Sequence, residues 1–291
     1  HEQFRSPLPP LLKRGQGEFP KALDTFFTQC FIPPLNKPKI SVCMIVFNEE
    51  KGILKCLESV SALADEYILV DTGCTDQTLE IAQSFSQKVH IFSHPWQENF
   101  AEARNVSLQQ ATGDWIFILD GDEWLAPESI PFLKQFFSYA PIGLNLFIPK
   151  VYNLTHSESY LISEATRIFP RSSVIRYHGL LHEQPYHLSR GFLHQIRLKQ
   201  VVIWHTGYQE GEKDRSHRLP LLQKCLADPT YNTPYIRYHY ARYLLGQSNP
   251  DYSSILDLLS ECLTESLNNI ENPPYPTWFP APIALVQELS S

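Results

Sequence analysis

In the first half of the chain, apolar residues fall in short unbroken runs, and the stretches between them carry apolar positions at helical spacing. Ile40 to Phe47 (ISVCMIVF) is one such run. Its length is that of a strand, and strands buried on both faces belong to parallel sheets covered by helices. Ile53, Leu54, Leu57, Val60 and Leu63 follow at the spacing of one helix face, closing a first β-α unit. The alternation repeats with a strand over 67–70, a helix from about 76 to 85, a strand over 89–92, a helix from about 99 to 111 and a strand over 115–119. That order predicts an α/β fold with a doubly wound, mostly parallel sheet. A helix near 128–138 is expected next, then strands around 144–151, 160–169, 174–177 and 199–204. From about 212 the pattern is helical, with Leu219, Leu222, Leu226 and then Tyr238, Ala241, Tyr243, Leu244 and Leu245, the spacing of one or two degenerate helical hairpins. Residues 1–38 hold seven prolines and little periodicity. The expected division is an irregular arm over 1–38, an α/β domain over 39–211 and a helical segment over 212–291.

Composition narrows the function. With 291 residues, 43% apolar and 12% aromatic, the chain can bury one large core and a smaller appendage. A net charge of −7 argues against a broad basic surface for nucleic acid but leaves room for a small basic pocket around a diphosphate. There is no run of eighteen apolar residues, so no transmembrane segment is predicted, and the first residues lack a signal-peptide stretch. Cysteines at 30, 43, 56, 74, 225 and 262 form no C-x-x-C pair and read as reduced thiols, so a soluble, cytoplasmic protein is expected.

In a doubly wound sheet, ligands bind outside the carboxyl ends of the strands. The first expected strand ends in Asn48-Glu49-Glu50, the second in Asp71-Thr72-Gly73-Cys74-Thr75-Asp76, the fourth in Asp120-Gly121-Asp122-Glu123. Thr75 or Asp76 suits a helix cap. A cap does not require a carboxylate at the strand end itself, which singles out Asp71. Asp120 and Asp122, separated by one small residue, can both reach a hard divalent cation that also takes phosphate oxygens. D-x-D alone is a weak signal. Its place after Trp115-Ile116-Phe117-Ile118-Leu119 strengthens it, because an unpaired acidic cluster at the edge of a buried sheet is costly without a counter-ion.

Taken together, Phe47-Asn48-Glu49-Glu50, Val70 to Thr78, Phe100-Ala101-Glu102-Ala103-Arg104-Asn105, Ala111 to Trp115 and Leu119 to Glu123 occur in one order along the chain. This set resembles family 2 glycosyltransferases of the GT-A fold, in particular the branch with a C-terminal helical-repeat segment that includes bacteriocin-peptide S-glycosyltransferases. The resemblance covers roughly residues 39–210. It implies that Asp71 holds the nucleoside and that the backbone after Phe47, with Asn48 and Glu49, forms the other wall of that pocket. It further implies that Asp122 binds the metal directly, that Asp120 and Gly121 lie beside the ribose or metal, and that Arg104 closes onto the nucleotide-sugar. Cys74 departs from the family, which usually has Ser or Thr there. A thiol is a poor donor, so Cys74 is read as a packing residue and not a nucleophile.

In Tyr177 to Pro185, the pair His182-Glu183 resembles the family's acceptor-side motif. A zincin reading fails because H-E-x-x-H is absent and Pro185 breaks any helix. His205, after a strand, resembles the late histidine that completes the metal site in several GT-A enzymes, with a structural histidine as the alternative. Arg167 suits a diphosphate contact or a plain strand-surface position. The implied reaction is inverting sugar transfer from a nucleotide-sugar, UDP by resemblance, to a peptide, glycan or lipid acceptor. Mn²⁺ or Mg²⁺ would stabilise the departing diphosphate and Glu183 would act as the base. A nucleotidyltransferase would instead need a Gly-rich basic loop after the first strand, where this chain is acidic. A non-catalytic binding module of the same fold would not need Asp71, Asp120, Asp122 and Glu183 together.

Overall fold

The computed structural model describes residues 31–32, 36–141, 143–155, 160–188, 193–206 and 218–268. Most of the expected N-terminal arm and the proline-rich end of the chain lie outside this set, as do residues 207–217. The chain divides into two compact units, one made of 1–96, 103–176 and 185–211, the other of 97–102, 177–184 and 212–291.

The first unit is built on one nine-stranded sheet. Short strands β1 (Phe31–Ile32) and β7 (Ala140–Pro141) pair separately. The apolar run becomes β2 (Ile40–Val46), flanked on both sides by parallel neighbours, β3 (Glu66–Asp71) and β5 (Trp115–Ile118), with β4 (Val89–Ser93) beyond β3. This central position explains why β2 has no polar face: Ile40, Val42, Cys43, Met44 and Val46 are all buried. Helices α1 (Ile53–Ser59), α2 (Thr78–Phe85) and α3 (Phe100–Gln110) follow β2, β3 and β4 as the periodicity predicts. Val46 is in register with Asp71, so the loops after β2 and β3 leave the sheet at the same edge.

Beyond β5 the sheet is mixed. Its order continues through β10 (Ile168–Pro170), β8 (Asn145–Leu154), β13 (His194–His205) and β6 (Glu123–Leu125), and β9 (Tyr160–Glu164) pairs with β8. β10 runs antiparallel to β5, β13 parallel to β8, and β6 antiparallel to β13. The single strand expected over 160–169 is therefore two, interrupted at 165–167 where the antiparallel register on β8 shifts by one residue, from Lys150 opposite Glu164 to Phe147 opposite Ile168. Arg167 keeps backbone hydrogen bonds to Ile118 and Phe147 while its guanidinium meets Asp120 and Glu123. A 3-10 turn at Pro127–Ser129 leads into α4 (Ile130–Phe136), shorter than the helix expected there. Trp115, Phe136, Phe137 and Phe147 pack ring on ring under this part of the sheet at centroid separations of 4.8 to 5.8 Å. Trp115 Nε1 donates to Tyr139 O at 3.0 Å, so the buried indole keeps its hydrogen bond.

Strands β11 (Ile175–His178) and β12 (Gln184–His187) bracket the loop 179–183. In the second unit, Leu180 and Leu181 of that loop share a core with Leu221, Leu222 and Cys225 of α5 (Arg218–Ala227) and Ile236 of α6 (Pro234–Leu245). α6 starts as its sequence requires, with Thr233 Oγ1 accepting from Ile236 N and Pro234 in the first turn. Ala241 of α6 packs with Ile255 and Leu259 of α7 (Tyr252–Asn268). Among the described residues, no helix is long and apolar enough to cross a membrane.

Candidate active site

The loops after β2 and β3 are tied to each other by side-chain to backbone hydrogen bonds. Asn48 takes a left-handed conformation (φ 53°), which asparagine tolerates better than most residues, and its Oδ1 accepts from Thr75 N at 2.8 Å. Thr78 Oγ1 accepts from Glu49 N, and Asp76 Oδ2 accepts from Glu50 N. Asp76 Oδ1 also accepts from Thr78 N at 3.0 Å, capping the start of α2. Asp71 has a local role that strand-end reasoning did not assign: its Oδ1 accepts from Gly73 N and Cys74 N at 2.9 and 2.8 Å, shaping the turn. Gly73 at φ 120° makes that turn possible. Phe47 projects at this edge and is 57% exposed, an unusual state for a phenylalanine at the end of a buried strand. Burial pushes the Cys74 thiol up to about 11, and its Sγ contacts Val46 O, so it is a packing group and not a thiolate.

The Asp120-Gly121-Asp122-Glu123 segment sends its carboxylates in different directions. Asp120 Oδ1 meets Arg104 Nη2 at 2.8 Å and its Oδ2 meets Arg167 Nη2 at 3.1 Å. Arg167 also pairs with Glu123 Oε1 at 2.5 Å, and Asp120 N donates to Glu123 Oε2. Arg104, Arg167 and Glu123 are buried. Burial works against the Asp120 anion, yet the two guanidinium groups outweigh it and hold this carboxyl well below the usual range. Glu123 is pushed up to about 7, chiefly by burial, with Arg167 opposing and Asp120 adding to the rise. Of the two carboxyls facing Arg167, Asp120 is the stronger acid. Arg167 is thus a buried partner and not a strand-surface residue.

Gly121 has to be glycine. A Cβ there would meet Glu49 Cγ at 2.7 Å and Cβ at 2.9 Å, because the acidic turn packs directly on the loop after β2. Gly121→Ala is expected to cost about 1–3 kcal/mol, the usual penalty of overpacking. Urea denaturation of the two proteins measures this, and an unchanged midpoint would show that Glu49 gives way freely.

Asp122 faces the opposite way. Its Oδ2 lies 3.2 Å from His205 Nε2, and His205 Nδ1 lies 2.7 Å from Asn153 Oδ1. The backbone fixes this contact: β6 pairs with β13 so that Glu123 is opposite His205, and Thr206 donates its N–H and hydroxyl to Asp122 O. Burial disfavours the His205 imidazolium, but its hydrogen bond to Asp122 and the charges of Asp122, Glu123 and Asp120 outweigh that and raise its pKa. The acidic turn therefore finds fixed counter-charge in Arg104 and Arg167 and a hydrogen-bond partner in His205. The case for a metal rests on the donor set. No group of three His, Cys, Asp or Glu side chains converges as a cage among the described residues. Asp122 and His205 do form an O,N pair, both side chains partly exposed at 13% and 22%. Such a pair fits a divalent ion whose other positions go to phosphate oxygens and water.

His182 and Glu183 belong to the second unit. His182 sits at φ 55° and stacks on His239 with centroids 3.6 Å apart and planes within 14°. Tyr235 lies edge-on to both rings. Burial first, then Arg218 and Arg242, pushes His182 down to about 4 and His239 well below its ordinary value, so both rings are neutral near pH 7. Glu183 follows in the same loop, whose turn depends on Gly179 at φ 111°. Sequence reasoning missed Glu123, Asn153 and His239. Glu123 was visible beside the D-x-D, but Asn153 and His239 carry no local motif.

An α/β sheet with two hydrogen-bonded loops at its carboxyl edge and an acidic turn packed on the first of them is the arrangement to be matched with known proteins. The family model "Glycosyl transferase family 2" matches residues 41–189, and the chain belongs to that family. It is 30% identical over 208 residues to the SPbeta prophage-derived glycosyltransferase SunS of Bacillus subtilis, covering 68% of this chain and 47% of that protein. It is 34% identical over 149 residues to a TPR repeat-containing protein of Synechococcus elongatus, covering 51% of this chain and 34% of that one. The chain thus spans about half or less of the length of these curated relatives. Staphylococcus aureus TarS residues 1–349 in complex with UDP superposes with a TM-score of 0.46 at 15% identity, covering 87% of this chain and 88% of that one. At that score the likeness says nothing about the site.

Proposed function

We propose that the chain transfers a sugar from a nucleoside diphosphate, UDP by family resemblance, to a peptide, glycan or lipid acceptor with inversion at the anomeric carbon. The observation that carries this reading is the divergent acidic turn. Asp122 and His205 offer a metal pair on one side, while Asp120, Arg104 and Arg167 form a charged cluster on the other. In this reading Asp71, whose turn is already fixed by the Gly73 and Cys74 amides, binds the nucleoside. Phe47, Asn48 and Glu49 line the opposite wall, and Gly121 lets the two loops approach. Asp122 and His205 would hold Mn²⁺ or Mg²⁺, while Asp120, expected from the sequence to share that ion, has both oxygens on Arg104 and Arg167 instead. An imidazole donor suits a first-row ion such as Mn²⁺ better than Mg²⁺, which prefers oxygen. The bound ion supplies positive charge to the departing diphosphate.

Arg104 and Arg167 add fixed positive charge near the same carboxylates, and Arg104 is the residue assigned to close on the donor. Glu183 takes the acceptor proton as the new glycosidic bond forms and the bond to the diphosphate breaks. His182, neutral beside it, contributes a polar ring without competing charge. Residues 39–211 are assigned to the glycosyltransferase domain, with the acceptor-side loop of His182 and Glu183 inside it, and 212–291 to a helical segment that aids acceptor recognition. No disulfide joins the described cysteines, which suits a reducing, cytoplasmic setting.

The test is a screen of nucleotide-sugars with Mn²⁺ and with EDTA, reading UDP release and thermal shift. The matching donor at roughly 100-fold over its Kd should stabilise the protein by about 2.7 kcal/mol in Mn²⁺. Neither release nor stabilisation with any uridine, guanosine or thymidine donor would reject the assignment.

A further inference from the structure

Asn153 has no place in the reaction above, yet it is a buried polar side chain, 7% exposed, in direct contact with a candidate metal ligand. Its position follows from strand register. In β8 it is paired with His205 of β13 on one side and with Leu161 of β9 on the other. The amide nitrogen donates to Leu161 O at 3.0 Å and to Ser163 Oγ at 2.9 Å, with Val151 O at 3.4 Å. Carbonyl oxygens only accept, so the amide cannot be turned around without setting its oxygen against the Leu161 oxygen. Oδ1 therefore points to His205, 2.7 Å from Nδ1.

This orientation decides the imidazole. Because Oδ1 can only accept, Nδ1 must carry the hydrogen, and in the neutral ring the lone pair is then on Nε2. Nε2 faces Asp122 Oδ2 at 3.2 Å, a second acceptor. Two acceptors at that distance need a proton or a cation between their lone pairs. Histidines that ligate metals commonly have the other ring nitrogen held by an oxygen acceptor in this way.

We infer that Asn153 is a positioning residue for the proposed metal site: locked by β9, it holds His205 as the Nδ1–H tautomer and keeps the Nε2 lone pair on the Asp122 side. Ser163 and the Leu161 carbonyl are the anchors of this relay, which gives β9 a function beyond completing the sheet. The inference rests on the metal reading of the site for its purpose, but its first observable does not need metal. A structural asparagine would satisfy the same strands without controlling the tautomer.

The experiment uses the full chain with ¹⁵N-labelled histidine, metal-free, at a pH where His205 is neutral, and reads the ring-nitrogen shifts and couplings. Wild type should show protonated Nδ1. Asn153→Leu, which removes the acceptor, should move His205 toward the Nε2–H form and weaken Mn²⁺ binding in the presence of UDP by about 10–100-fold, the usual effect of losing such a partner. UDP affinity in EDTA should be the same in both proteins. A wild-type ring in the Nε2–H form overturns the inference without any variant. So does a folded Asn153→Leu protein with an unchanged tautomer or unchanged Mn²⁺ affinity. The two failures are distinguishable: a wild type that binds no Mn²⁺ overturns the metal reading and with it the role toward the ion. Normal Mn²⁺ binding with an unaltered tautomer in Asn153→Leu overturns the role of Asn153 alone.

Discussion

Glu183→Gln is expected to lower sugar-transfer turnover by about 10²- to 10⁴-fold, the range that general-base catalysis contributes. The substitution keeps the shape of the side chain and removes its basicity. Glu183 lies in the loop 179–183 between β11 and β12, held by Leu180 and Leu181 in a packed core and turned at Gly179 and His182. A loop fixed this way presents its next side chain in a defined direction, as a base requires. The neighbouring His182 is pushed down to about 4 and cannot supply a positive charge near pH 7. Donor affinity should survive, because Glu183 is assigned to neither metal nor nucleotide. A structural carboxylate would behave differently, with the same change lowering the melting temperature more than turnover. Rate, UDP affinity and melting temperature measured together separate the two cases, and full activity in a normally folded Glu183→Gln protein would remove the residue from the mechanism.

Asp122→Asn should abolish whatever gain in UDP affinity a divalent ion confers, while leaving metal-free UDP binding near the wild-type value. The side chain is not buried in the arginine cluster. Its partner is His205, and its backbone carbonyl is held by Thr206 whether or not the carboxylate is present. The turn should therefore keep its shape when the charge is lost, and the effect should appear in the metal-dependent part of binding. If metal-free affinity falls equally, Asp122 contacts the nucleotide itself and not the ion.

The parallel half of the sheet was legible chiefly because β2, β3 and β5 are buried along most of their length on both faces. β2 and β5 announce themselves as apolar runs, and the polar residues after them mark the functional edge. The other half depends on pairings between residues far apart in the chain. β6 is only Glu123–Leu125, inside the acidic turn, and becomes a strand because β13 lies beside it. The break between β9 and β10 is a one-residue shift of register against β8, and the contact of Arg167 with Asp120 and Glu123 beside it spans 44 to 47 positions; no periodicity encodes either. The D-x-D was read as two carboxylates aimed at one cation. Its neighbours Arg104, Arg167 and His205 were each noticed, but their role as partners of the acidic turn depends on how the strands converge. Asn153 was invisible for the same reason: an asparagine in a strand has meaning only once β9 and β13 are placed on its two sides.

The most direct measurement is calorimetric titration of the wild-type protein with UDP, once with Mn²⁺ and once with EDTA. Metal-assisted donor binding through Asp122 and His205 predicts much tighter binding with Mn²⁺, by at least an order of magnitude or about 1.4 kcal/mol. Equal affinity in the two conditions would contradict it and leave the acidic turn as a structural cluster held by its own arginines and histidine.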